Sequence, residues 1–161
     1  MCSWSIPLVV LICACGGGIQ TPLESAGEAR SIPDGLVVVY DDYHPQWGGK
    51  RIVVQADRSI EVEQWRPNQP ENAPDSWRGT VPEEAMKQLV RLLLEIEAWE
   101  QQAEEDATRI DDAKARLEVR VGGEGDSIWE WANDLQANGR IVRIQQHLEA
   151  LAFEARHPLA P

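Results

Sequence analysis

Residues 35–65 read GLVVVYDDYHPQWGGKRIVVQADRSIEVEQW, and this stretch decides the fold. Leu36 to Tyr40 is rich in β-branched valine, which favours an extended strand. Gln46 to Lys50 holds the pair Gly48-Gly49 and reads as a turn. Arg51 to Gln55 forms a second strand. Asp57-Arg58-Ser59 reverses the chain again. Ile60 to Trp65 alternates apolar and polar residues, the pattern of a half-buried strand. Consecutive strands with short connections predict an antiparallel meander.

Downstream the period changes. Residues 66–79 carry Pro67, Pro70 and Pro74 among Asn, Asp and Ser, and read as a long loop. Thr80 and Glu83 have the spacing of a capping box, with Pro82 suited to a first turn. The helix they open is expected to reach about Gln102. Met86, Leu89, Val90, Leu93, Ile96 and Trp99 form its apolar stripe. Residues 103–112 are polar and acidic. Ala115, Leu117, Val119 and Val121 alternate with charged residues and predict a fourth strand. Gly122 to Asp126 is a hairpin turn, Ser127 to Ala132 a fifth strand and Asn133 to Gly139 a loop. Arg140 to Glu154 is a second helix, with Ile141, Ile144, Leu148 and Leu151 on one face. The expected fold is therefore α+β, in the order βββα-ββα. One antiparallel sheet of about five strands carries two helices on one face. This domain is assigned to residues 35–155, with 156–161 as a frayed tail.

The balance of charge narrows the partners. A net charge of −12 over 161 residues repels nucleic-acid phosphate and anionic lipid headgroups. A hydrophobic fraction of 43% is ample for a folded core. The cysteines, Cys2, Cys13 and Cys15, all precede residue 16, so the expected domain holds no disulfide and no thiolate metal site.

Those cysteines lie in a leader. Ile6 to Ala14 is apolar apart from Pro7. It is much shorter than the roughly 20 residues that a membrane-spanning helix needs. Its length suits the hydrophobic region of an export signal. It ends at Ile12-Cys13-Ala14-Cys15, followed by Gly16-Gly17-Gly18. This segment resembles a bacterial lipoprotein signal, in which an aliphatic residue and two small residues precede a cysteine that becomes acylated. The resemblance covers about the first eighteen residues. It implies a signal peptide over 1–14, cleavage before Cys15, and palmitate-type acylation of Cys15. Two or more acyl chains hold a protein stably on a membrane. With Gly16 following, it further implies transfer to the outer membrane if the cell is Gram-negative. Residues 15–34 then read as the lipidated cysteine and a flexible Gly/Ser/Pro-rich tether. The element order of the domain resembles that of uncharacterised small α+β domains in bacterial lipoproteins, and implies no mechanism.

Asp42 and His44 are a carboxylate and an imidazole in one turn, the pairing of acid–base hydrolysis. No nucleophile with a recognisable context accompanies them, and His147 and His157 share no ligand spacing with His44. Glu104, Glu105, Asp106, Asp111 and Asp112 lack the order of a calcium loop. Gly122, Gly123 and Gly125 join two strands, with no Lys-Ser/Thr following, so they make a turn and no phosphate cradle. No catalytic residue, metal ligand or cofactor is expected.

Tryptophan is the unusual feature. Trp47 and Trp77 fall in expected loops, where exposed aromatics serve binding. Trp129 and Trp131 are two apart on one strand and share a face. These four are the candidate binding surface; the competing reading places them in the core. The functional expectation is a membrane-anchored envelope lipoprotein whose domain binds an envelope protein or a glycan without catalysis. The alternatives are a small inhibitor or assembly factor acting through 66–79, and a hydrolase using Asp42 and His44.

Overall fold

A computed structural model describes residues 18–100, 114–131 and 134–157. The leader, Cys15 and the acidic connection Glu104 to Asp112 lie outside the described residues. Strands β1 (Val37–Asp41), β2 (Gly49–Gln55), β3 (Ser59–Trp65) and β4 (Asp75–Thr80) form a meander. Strands β5 (Lys114–Val121) and β6 (Glu124–Trp131) form a hairpin. The helices are α1 (Gln20–Ala29), α2 (Glu83–Glu95) and α3 (Gly139–Arg156), with a short 3-10 turn at Leu135–Ala137.

The fold is α+β, and its sheet is antiparallel with six strands in the order β4-β3-β2-β1-β5-β6. The β5–β6 hairpin docks on the free side of β1, pairing Val38 with Val119 and Tyr40 with Leu117. This makes β1 an inner strand with a neighbour on each side. With neighbours on both sides, β1 is covered along its length, and its three central residues Val38, Val39 and Tyr40 are all buried. Val39 is buried although it points away from Val38 and Tyr40.

Alternation sets the layers. Val38, Tyr40, Ile52, Val54, Ile60, Val62, Leu117 and Val119 occupy one face and join the helices in a single core. α2 contributes Met86, Leu89, Val90 and Leu93; α3 contributes Ile141, Ile144, Leu148 and Leu151. The opposite face is a lattice of charge. Arg51 lies between Asp41 at 4.0 Å and Glu63 at 3.9 Å, and Arg78 meets Glu61 at 2.8 Å. Arg120 and Arg116 flank Glu118 at 3.2 and 3.7 Å. Each such exposed pair stabilises by less than about 1 kcal/mol, but together they keep this face wet.

Four expectations are corrected. The sheet has a sixth strand, β4, because residues 75–79 belong to the ladder and only 66–74 form the loop. Thr80 ends β4 opposite Ser59, so no capping box forms; α2 opens at Glu83 behind Pro82. α2 also stops at Glu95, well short of Gln102. Glu97 takes a left-handed φ of 49°, and the Glu97 and Ala98 amides donate back to Leu94 and Leu93. That is a Schellman stop built without glycine.

The fourth correction concerns the expected tether. Within 15–34, residues 20–29 are helix α1, and Ile19, Leu23 and Ala26 are buried in the main core. α1 lies on α2. Gly27 permits that approach, since a Cβ there would overlap the Leu94 side chain. The helix closes at Arg30 in left-handed geometry, with the Ser31 amide donating to Ala26 at 2.9 Å. The folded unit thus begins by Ile19.

Candidate functional site

The β1–β2 connection projects from one end of the sheet. His44 and Gly48 close it by a reciprocal pair of backbone hydrogen bonds, each 2.8 Å. Pro45, Gln46 and Trp47 form the exposed tip. Gly48 at φ 77° and Gly49 at φ 143° turn the chain where a side chain is disfavoured.

The neck below the tip is pinned from inside. Asp42 Oδ2 accepts from the Tyr40 hydroxyl at 2.9 Å, and Asp42 Oδ1 accepts from the Lys50 amide at 2.6 Å. The Asp41 carboxylate accepts from the Tyr43 amide at 3.1 Å. Lys50 in turn reaches across to Glu149 of α3 at 2.5 Å.

On this neck the aromatic rings gather. Trp47 is 53% exposed, and its ring stacks on His44 with centroids 4.3 Å apart and planes 21° apart. Tyr43 leans on Trp65, centroids 4.7 Å apart. Trp65 donates its indole N–H to the Glu71 carbonyl at 2.9 Å, and the Asn68 amide donates to the Gln46 carbonyl at 3.2 Å. The tip and the 66–74 loop are therefore one braced surface. Its members are Tyr43, His44, Trp47 and Trp65.

The four expected tryptophans do not share that surface. Trp77 is on β4, half-buried on the helix side, with the Arg156 guanidinium 5.8 Å from its ring. It is not a loop residue. Trp131 is on β6, at the opposite edge of the sheet. It is 4% exposed, with the Lys114 ammonium 4.8 Å from its ring. Trp129 shares its strand and register face, opposite Arg116; its side chain lies outside the described residues. Only Trp47 projects from the tip. Sequence reading missed Tyr43, His44 and Trp65 as its companions. The available signal was the aromatic-rich run Tyr43-His44-Pro45-Gln46-Trp47 just before the Gly-Gly turn, matched by Trp65 at the end of β3.

Asp42 and His44 each hydrogen-bond to other partners. Both Asp42 oxygens are engaged by Tyr40 and Lys50, while His44 Nδ1 accepts from the Gln46 amide at 3.1 Å. Among the described residues no group of three or more His, Cys, Asp or Glu could hold a metal ion.

Burial holds the Asp42 carboxyl above its ordinary value of 3.8, against the opposing pull of the Lys50 and Tyr40 hydrogen bonds. Burial and the adjacent Asp42 also push the Tyr40 hydroxyl upward, so it remains a donor. A carboxyl raised on folding binds its proton more tightly in the native state. Its stabilising contribution is full below the ordinary carboxyl range and is lost as pH rises through the folded value. The stability of the wild type minus that of Asp42→Asn should therefore fall as pH rises from about 4. Urea titrations of both proteins across that range measure it, and a flat difference would show that the Lys50 and Tyr40 hydrogen bonds fully offset the burial.

No protein-family model matches the chain, and no curated protein matches it. No helix among the described residues is long and apolar enough to cross a membrane.

Proposed function

We propose that this chain is a non-enzymatic binding domain, held at a bacterial envelope by lipid on Cys15, and that the Trp47 tip contacts its partner. The observation that carries the binding reading is the exposure of Trp47 on a braced neck. A large apolar ring left in water on a rigid support loses little entropy when it is covered. Stacking on His44 and the bonds through Asp42 and Gly48 supply the support. Such a ring suits the face of a sugar or an apolar pocket on an envelope protein. The anchor reading draws on the leader sequence alone.

The anchor and the binding are tested separately. Cells fed radiolabelled palmitate should label the wild type and leave Cys15→Ser unlabelled. Binding is tested by cosedimentation with isolated cell-wall sacculi and by crosslinking in intact envelopes. Trp47→Ala should weaken the contact about 30-fold, as for a central aromatic anchor. Undiminished binding by Trp47→Ala would move the contact elsewhere. If instead loss followed only deletion within 66–74, the inhibitor or assembly-factor reading would take precedence.

A further inference from the structure

A second site lies where the end of α2 faces the start of α3. A cleft of about 670 Å³ is lined there by Glu95, Glu97, Glu100, Glu130, Arg140 and Arg143, with Ile96 and Ala137 as apolar wall. Glu130 is its unusual member. It sits on β6 opposite Ala115, on the helix-facing side of the sheet. It is 7% exposed, the only charged residue buried to that degree among the described residues.

A buried carboxylate normally has a cation or several donors. Glu130 has little of either. Its Oε1 accepts from the Trp131 amide at 2.9 Å, and Oε2 has no hydrogen-bond or ion-pair partner among the described residues. The nearby guanidiniums are committed elsewhere. Arg143 pairs with Glu95 at 2.6 Å; Arg140 pairs with Glu97 at 3.6 Å and donates to the Glu100 carbonyl. Four carboxylates against two guanidiniums leave the lining net negative.

We propose that this cleft binds an alkylammonium group, with Glu130 Oε2 as its acceptor and Ile96 and Ala137 against its alkyl stem. A guanidinium fork needs both carboxylate oxygens for its bidentate fit. Here one oxygen is already taken by the Trp131 amide, and a compact ammonium needs only the other. A divalent ion would need several oxygens, and the described carboxylates do not converge in that way. A lysine side chain and a free aliphatic amine share the required chemistry. The site depends on neither the lipid anchor nor the Trp47 tip.

The test is an amide NMR titration of the protein with n-butylamine at neutral pH. Saturable shifts are expected at Ala137, Gly139 and Arg140. n-Butanol, which keeps the stem and lacks the charge, should leave those amides unmoved, and n-butylguanidine should bind about threefold more weakly or worse. Glu130→Gln keeps the acceptor for the Trp131 amide and should weaken n-butylamine about tenfold. Comparing acetyl-Gly-Lys-Gly-amide with n-butylamine assigns the source: tighter peptide binding points to a protein lysine, tighter amine binding to a free amine. The proposal is overturned if n-butylamine gives no saturable shift, if n-butanol shifts the same amides equally, or if Glu130→Gln binds as the wild type does. The n-butanol comparison uses only the wild type and decides the matter even if the variant does not fold.

Discussion

Leu23→Ala should destabilise the protein by about 3 kcal/mol, within the range for truncating a fully buried leucine. Leu23 is completely buried and packs in the same core as Met86 and Leu89, although it precedes the first strand. The lost transfer energy and the cavity left between α1 and α2 both contribute. A loss of that size lowers Tm by roughly 10 °C for a domain of this length. Glu28→Ala, on an exposed position of the same helix, should change stability by less than about 0.5 kcal/mol. Thermal melts of the three proteins decide between a docked helix and a loose tether. If 15–34 were only a tether, Leu23→Ala and Glu28→Ala would melt together with the wild type.

α1 carries weak local helix signals. Pro22 and Gly27 both lower helix propensity, and the surrounding Gly, Ser and Ala resemble linker composition. The helix is stabilised by tertiary contact through Ile19, Leu23 and Ala26. That spacing of four and then three was visible, but three residues are too few to outweigh the composition. β4 was hidden for a related reason. It is an edge strand whose residues are exposed or half-buried, so its sequence DSWRGT shows no clear apolar alternation. β3, β5 and α3 were legible because burial imposes a period on their residues, and β1 through its run of β-branched valine. The break at Glu97 was not legible, since a left-handed stop normally announces itself with Gly or Asn.

The candidate site was legible only in part. Trp47 is legible as an aromatic in a turn. Its support is not, because Tyr40, Asp42, Trp65 and Asn68 come together through strand pairing and loop docking. Register likewise separated residues that sequence had grouped: Trp77 on β4 and Trp131 on β6 stand at opposite edges of the sheet. Glu130 gave no signal at all, lying between two tryptophans in an alternating strand. Only the side of the sheet it occupies, and the commitment of both neighbouring arginines, make it conspicuous.

Gly48→Val should cost about 3 kcal/mol and remove binding at the tip in the same step. At φ 77° a β-branched side chain meets the steric penalty of left-handed backbone, about 1–2 kcal/mol. A Cβ at this position would also overlap the Trp65 carbonyl oxygen and approach the Arg66 carbonyl carbon to 2.8 Å. These are backbone atoms, which cannot rotate away, so relieving the clash pushes the tip off β3. Separation of that kind breaks the Asn68–Gln46 bond and disturbs the ring pair of Tyr43 and Trp65. Gly122→Ala isolates the backbone contribution, because Gly122 has φ 60° and no atom within 4 Å of a built Cβ. It should cost only about 1 kcal/mol and leave partner binding unchanged. Chemical denaturation together with sacculus cosedimentation measures both quantities. Equal losses of stability and binding in Gly48→Val and Gly122→Ala would mean that the tip needs no fixed shape, and Trp47 would then bind as a flexible ring.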